Sequence, residues 1–166
     1  MNQNMEERLT QHFTLGELTK TNVMTAEGNS PSAVQKANLR RLCDWLEQLR
    51  LRYNRNYVLQ AGDDYETSAD VEPLIINSAY RSAAVNRAVG GSPQSNHLTG
   101  CAVDIRCMGM EQALRYAVLL IDLSDEQKQD FDELLLERNA RGAYWLHFAV
   151  RPPEVGNRRR LRLLQV

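Results

Sequence analysis

The sequence predicts an α+β domain, with helices packed on a small, mostly antiparallel sheet, and three observations predict it. Leu39, Leu42, Cys43, Leu46 and Leu49 recur at helical spacing, as one face of a buried helix does. "CAVDIRC" (101–107) and "YWLHFAV" (144–150) instead alternate with the period of two expected of strands with one buried face. No repeat, low-complexity stretch or linker interrupts residues 1–166, so the elements belong to one domain built from layered helices and sheet.

The elements follow in chain order. In "HFTLGELTKTNV" (12–23) Thr14 caps a short helix, with Glu17 three residues on as its capping box. The chain turns around "EGNSPS", and Pro31 suits the first turn of the next helix, about 32–53. Trp45 borders the apolar stripe of that helix. "QAGDDYETSADVEP" (60–73) is polar and acidic, a surface loop or a β-hairpin excursion. "LIINSAYRS" reads as a short buried strand ending in a turn, and "SAAVNRAVGG" as a helix stopped by paired glycines. "GCAVDIRC" is a strand, "MEQALRYAVLLID" an amphipathic helix, and "DEQKQDFDELLLE" a helix running into a strand. "RNARGA" turns the chain into "YWLHFAV", the last clear strand. The basic run "NRRRLR" (157–162) reads as a solvated terminal strand or tail, with a polyanion site as the alternative.

Composition narrows the function classes. A chain of 166 residues with 43% hydrophobic and 25% charged residues is ordinary for a globular domain. Its net charge of −1 supplies no global field to recruit nucleic acid or an anionic membrane. No stretch approaches the length of a membrane span, and "MNQNMEERLTQHF" lacks the apolar core of a secretory signal. The expectation is a cytoplasmic monomer, unless something releases it to the cell wall. Cys43, Cys101 and Cys107 are odd in number. On one strand Cys101 and Cys107 would lie roughly 20 Å apart, too far for a disulfide, so the thiols are expected free.

Strand parity carries the chemistry. Cys101, Val103, Ile105 and Cys107 share one face of their strand, and Ala102, Asp104 and Arg106 the other. In the later strand Leu146, Phe148 and Val150 face one way; Trp145, His147 and Ala149 face the other. Each strand thus sets a potential metal ligand opposite its core side, between small alanines that leave room for a cavity. His97 precedes the turn at Gly100 and is placed to swing back over Asp104. Two imidazoles and a carboxylate form a common catalytic zinc set, in which a fourth position stays open for water. A hydrogen-bonding His–Asp pair without metal is the alternative on spacing alone.

"SAYRSAAVNRAVGGSPQSNHLTGCAVDI" resembles the signature of zinc peptidoglycan peptidases, the D-Ala-D-Ala carboxypeptidases and L-Ala-D-Glu endopeptidases. These share their fold with the hedgehog signalling domain. The pattern Ser-x-His-x-x-Gly-x-Ala-x-Asp falls on Ser95, His97, Gly100, Ala102 and Asp104. The upstream turn matches Ser78 to Ser82, and Trp-x-His matches Trp145 and His147. "HFTLGEL" and "GNRRRLRL" resemble the opening and closing of one subfamily. The resemblance implies a zinc metallopeptidase acting on peptidoglycan stem peptides that contain D-amino acids, as a carboxypeptidase or an endolysin-type endopeptidase. It implies that His97, Asp104 and His147 bind Zn2+ and that Arg81 pairs with a substrate carboxylate, for which a guanidinium is suited. It also implies that Ser95 contacts substrate or braces its loop, while Asn86 is structural. The alternative function is a zinc-holding module, such as a phage tail component, that binds wall peptides without cleaving them.

The general base is the open position. Many relatives carry an acid three residues before the last histidine, where this chain has Tyr144. The subfamily pattern Phe-Asp-x-Leu-x-x-Glu fits "FDELLLE" and nominates Glu137. A tight hairpin at "RNARGA" would put Glu137 opposite about residue 143, roughly 13 Å along the strand from His147, and would set Glu133 facing His147. A wider loop removes that difficulty. Glu137 is therefore the first candidate and Glu133 the second.

Overall fold

The computed structural model describes residues 7–166, so the first residues of the segment read for a secretory signal lie outside the described residues. Helices α1 (Leu15–Leu18), α2 (Ala33–Tyr57), α3 (Ala83–Ala88) and α4 (Met110–Gln127) pack against a five-stranded sheet. Its strands are β1 (Ile76–Ser78), β2 (Ala102–Cys107), β3 (Glu133–Arg138), β4 (Tyr144–Ala149) and β5 (Arg160–Gln165), in spatial order β1-β2-β4-β3-β5. Three ladders are antiparallel and β3–β5 is parallel. The expected α+β architecture, helices on a mostly antiparallel sheet, is the one observed.

One face of this sheet makes the core. Val103, Ile105, Leu134, Leu136, Leu146 and Phe148 meet Leu39, Leu42, Leu46 and Leu49 of α2 and Tyr116, Leu120 and Leu123 of α4, all buried. Trp45 sits inside this layer rather than at its border, its ring 5.4 Å from that of Phe148. The opposite face, where Asp104 and His147 project, is left for function. Among the described residues no helix is long and apolar enough to cross a membrane, and all three cysteines are free and buried.

Several local expectations shift. Thr14 caps α1 by accepting from the Glu17 amide, which is half of the expected capping box. The full box belongs to Ser32 and Gln35 at the start of α2; Pro31 lies just before that cap. α2 runs one turn beyond the expected end, to Tyr57. The acidic 60–73 segment forms turns without strand, so the hairpin alternative is not realised. β1 is a half-exposed edge strand rather than a buried one. α4 continues through 127 as one helix, absorbing the start of the segment read as a second helix, and stops where Lys128 turns left-handed. The basic run leads into a fifth strand, the terminal strand that was one of its two expected forms.

The connection before β2 is held by α2. A single 3₁₀ turn, Asn96–Thr99, carries His97, and polar side chains of α2 secure it: Gln35 donates to the Leu98 carbonyl at 2.9 Å and Asn38 to that of Thr99 at 2.8 Å. Gly100 closes the turn at φ 72°, and a Cβ there would lie 2.6 Å from the Gln35 carbonyl oxygen. Gly100→Ala should therefore destabilise the fold by about 2–4 kcal/mol, adding left-handed strain to a clash with helix backbone. Thermal melting checks this. A melting temperature within a degree of the parent would mean that the turn is free to move off α2.

Candidate metal centre

The sheet register builds the site. Asp104 of β2 is the direct partner of His147 on β4, and directly opposite residues on one face have Cβ atoms about 5 Å apart. Asp104 Oδ1 lies 2.8 Å from His147 Nδ1. The 3₁₀ turn swings His97 over the same carboxylate, with Nε2 3.3 Å from Asp104 Oδ2, as Gly100 led one to expect. All three residues are buried. His97 uses its other nitrogen, Nδ1, as donor to the Ala79 carbonyl at 2.5 Å. That bond fixes the ring and leaves Nε2 pointing to the cluster.

Charge is concentrated here. Burial alone would raise the Asp104 carboxyl, but the neighbouring His97 and His147 rings hold it well below the usual carboxylate range. Burial opposes a charge on His147, yet its hydrogen bonds to Asp104 and Glu133 outweigh this and lift it to about 9. One donor atom from each of His97, Asp104 and His147 lies within 4.8 Å of the others.

The other expected residues gather around this centre. Arg81 spans Asp104 and Ser78, donating from Nη2 to Asp104 Oδ2 at 2.9 Å and from Nε to Ser78 Oγ at 2.9 Å. It therefore braces the carboxylate that joins the two histidines as well as lining the cleft. Ser95 caps the 3₁₀ turn, its Oγ accepting from the His97 amide at 3.3 Å, and also lines the cleft. Asn86 is buried and donates to the Ser92 carbonyl, so it holds the loop that leads to His97.

The β3–β4 register differs from the tight-hairpin expectation. The loop spans 139–143, with Asn139 Oδ1 accepting from the amides of Arg141 and Ala143. Glu137 thereby pairs with Trp145 rather than with residue 143, and Glu133 pairs with Ala149 rather than His147; Leu135 is the partner of His147. Both glutamates share the cleft face of β3, one on each side of Leu135. Each is two residues along the strand from the His147 rung, about 7 Å rather than 13 Å. Tyr144, three residues before His147, has the parity of Leu146 and packs against the core.

Their surroundings separate the two glutamates. Glu133 is engaged on all sides: its Oε2 accepts from His147 Nε2 at 3.2 Å and Asn96 Nδ2 at 3.1 Å, and its Oε1 from Arg158 at 3.1 Å and Arg160 at 3.3 Å. The hydrogen bond and charge of His147, with the hydrogen bond from Asn96, hold it below the usual glutamate range despite burial. Glu137 accepts from the Trp145 indole, and burial, reinforced by the charge of Asp104, raises it above the usual range.

Residues assigned no role in the site from sequence complete it. Asp132 is fully buried and chelates Arg158 through Nε at 2.8 Å and Nη2 at 2.6 Å; it also accepts from Asn96 at 2.8 Å and pairs with Arg151 at 3.1 Å. The basic run is thus not simply solvated, because Arg158 and Arg160 line the cleft. The sequence signals for this were the Phe-Asp pair that opens "FDELLLE" and the basic "GNRRRLRL", neither of which says that the two meet.

The donor set fits zinc. One carboxylate and two imidazoles converge, one ring is anchored through its far nitrogen, and the other has Glu133 on its far side. Carboxylate and carbonyl partners of this kind orient metal-binding histidines. The cleft above holds about 630 Å³. No curated protein matches the chain. A family model described as Peptidase M15 matches residues 11–119, which include Arg81, Ser95, His97 and Asp104 and end before Glu133, Glu137 and His147.

Proposed function

The chain belongs to the peptidase M15 family, a family of zinc-dependent peptidases, and on that premise we propose that it hydrolyses D-amino-acid-containing stem peptides of peptidoglycan. The observation that carries the reading is the buried His97–Asp104–His147 cluster on the floor of a cleft, with Arg81 on one side and Glu137 on the other. His97, Asp104 and His147 would hold zinc, which when bound supplies Lewis-acid activation of the scissile carbonyl and of water.

The chain's own residues do the rest. Arg81 orients Asp104 and offers the remaining edge of its guanidinium to a substrate carboxylate. Glu137, whose proton affinity is raised by burial and by the charge of Asp104, takes the proton of the attacking water and returns it to the leaving amine. The Trp145 indole holds that carboxylate on the cleft side of β3. Ser95 keeps the His97 turn in shape. The arrangement suits either a carboxypeptidase or an endolysin-type endopeptidase.

The test is mass analysis of purified peptidoglycan fragments incubated with zinc-loaded protein. New fragments that differ by hydrolysis of one stem-peptide bond are the expected result, and their masses identify the bond. Fragments left intact, but retained by the protein, would make it a zinc-holding module for wall peptides instead.

A further inference from the structure

The rungs of the sheet extend the cleft beyond the metal centre. Asp104, His147, Leu135 and Arg162 are successive partners across β2, β4, β3 and β5. Two residues along each strand on that face, Ala149, Glu133 and Arg160 form the neighbouring rung. Strands are spaced about 4.8 Å apart, so the backbone of Arg162 lies roughly 10 Å from that of His147. Leu135, half-buried and part of the cleft wall, is the apolar saddle between them.

The arginines of this region are not equally committed. Arg81 is tied to Asp104 and Ser78, and Arg158 to Asp132 through two nitrogens. Arg160 makes one contact, from Nη1 to Glu133 at 3.3 Å, and its side chain is 37% exposed on the cleft. Arg162 is exposed and makes no ion pair among the described residues. Glu133 divides its single charge among His147, Arg158 and Arg160. Around this end of the cleft two carboxylates, Asp132 and Glu133, face the guanidiniums of Arg151, Arg158 and Arg160, and Arg162 follows Arg160 on the same face of β5, which leaves the β5 edge electropositive.

We infer that Arg160, with Arg162 beside it, forms a second carboxylate-binding subsite, which reads a negative charge on the peptide at the end of the cleft away from Arg81. The inference rests on the proposed peptidase reading and names a property of its substrate: a stem peptide with an acidic group within about three residues of the bond cut, since an extended chain covers roughly 10 Å in three residues. A guanidinium presents parallel N–H donors that match a carboxylate and match a neutral carboxamide poorly. A peptide crossing Leu135 would bring such a group to Arg160 first.

The experiment compares two synthetic pentapeptides, L-Ala-γ-D-Glu-L-Lys-D-Ala-D-Ala with the glutamate α-carboxylate free or converted to the carboxamide. Cleavage is followed by mass spectrometry and binding by calorimetry, on zinc-loaded parent, Arg160→Gln and Arg160→Gln/Arg162→Gln proteins of verified zinc content. The parent should prefer the free carboxylate by about tenfold or more. Arg160→Gln should remove most of that preference and the double variant all of it. Equal binding of the two peptides by the parent, or a preference that survives in the double variant, overturns the subsite. Cleavage of neither peptide, together with arginine-dependent preference in binding, retains the subsite and overturns the hydrolytic reading instead.

Discussion

Glu137→Gln should yield a folded, zinc-retaining protein that has lost nearly all hydrolysis of a wall peptide cleaved by the parent. Glutamine keeps the size of the side chain and an oxygen for the Trp145 indole, so neither packing nor the cleft wall has reason to change. What disappears is basicity, and positioned general acid–base catalysis contributes roughly 10² to 10⁴ in rate. The environment concentrates that role on Glu137, because burial and the charge of Asp104 raise its proton affinity while its neighbour on the same face, Glu133, is already spoken for by His147, Asn96, Arg158 and Arg160. Glu133→Gln should accordingly weaken stability or zinc retention more than the chemical step. Rates normalised to bound zinc decide between them: if Glu133→Gln is the slower per zinc, the base has been assigned to the wrong glutamate.

His97→Ala should abolish stoichiometric zinc binding. The variant removes one of three convergent donors and also the anchor at the Ala79 carbonyl. In the parent, free zinc at a thousand times its dissociation constant stabilises the folded state by about 4 kcal/mol. The melting temperature of the parent should therefore rise clearly on adding zinc, and that of the variant should not. Comparing each protein with and without zinc separates this effect from the packing lost with the buried ring. Elemental analysis showing about one zinc per chain in purified His97→Ala would remove His97 from the ligand set.

Strand parity was legible because it is local. A pleated strand sends successive side chains to opposite faces whatever it pairs with, so Asp104 and His147 were assigned to one side, and Ile105, Leu146 and Phe148 to the other, from alternation alone. The helical stripe of α2 was legible for the same reason. Polar side chains on that helix were not: Gln35 and Asn38 look like solvated positions in a periodic pattern, yet both are spent on the carbonyls of the His97 turn.

The amino-acid sequence by itself thus determined the α+β class, the core faces and the identity of the residues that converge as His97, Asp104 and His147. Tertiary structure alone decided which carboxylate stands where. The β3–β4 register depends on how the 139–143 loop closes, and a shift of two residues moves Glu133 and Glu137 along the strand without changing the face of either. It alone also placed β5 parallel to β3, which turned a basic run into one wall of the cleft. Alternation within a strand is written in neighbouring residues, whereas register and strand order follow from loop closure and from pairings between distant segments, such as that of Asp132 with Arg158.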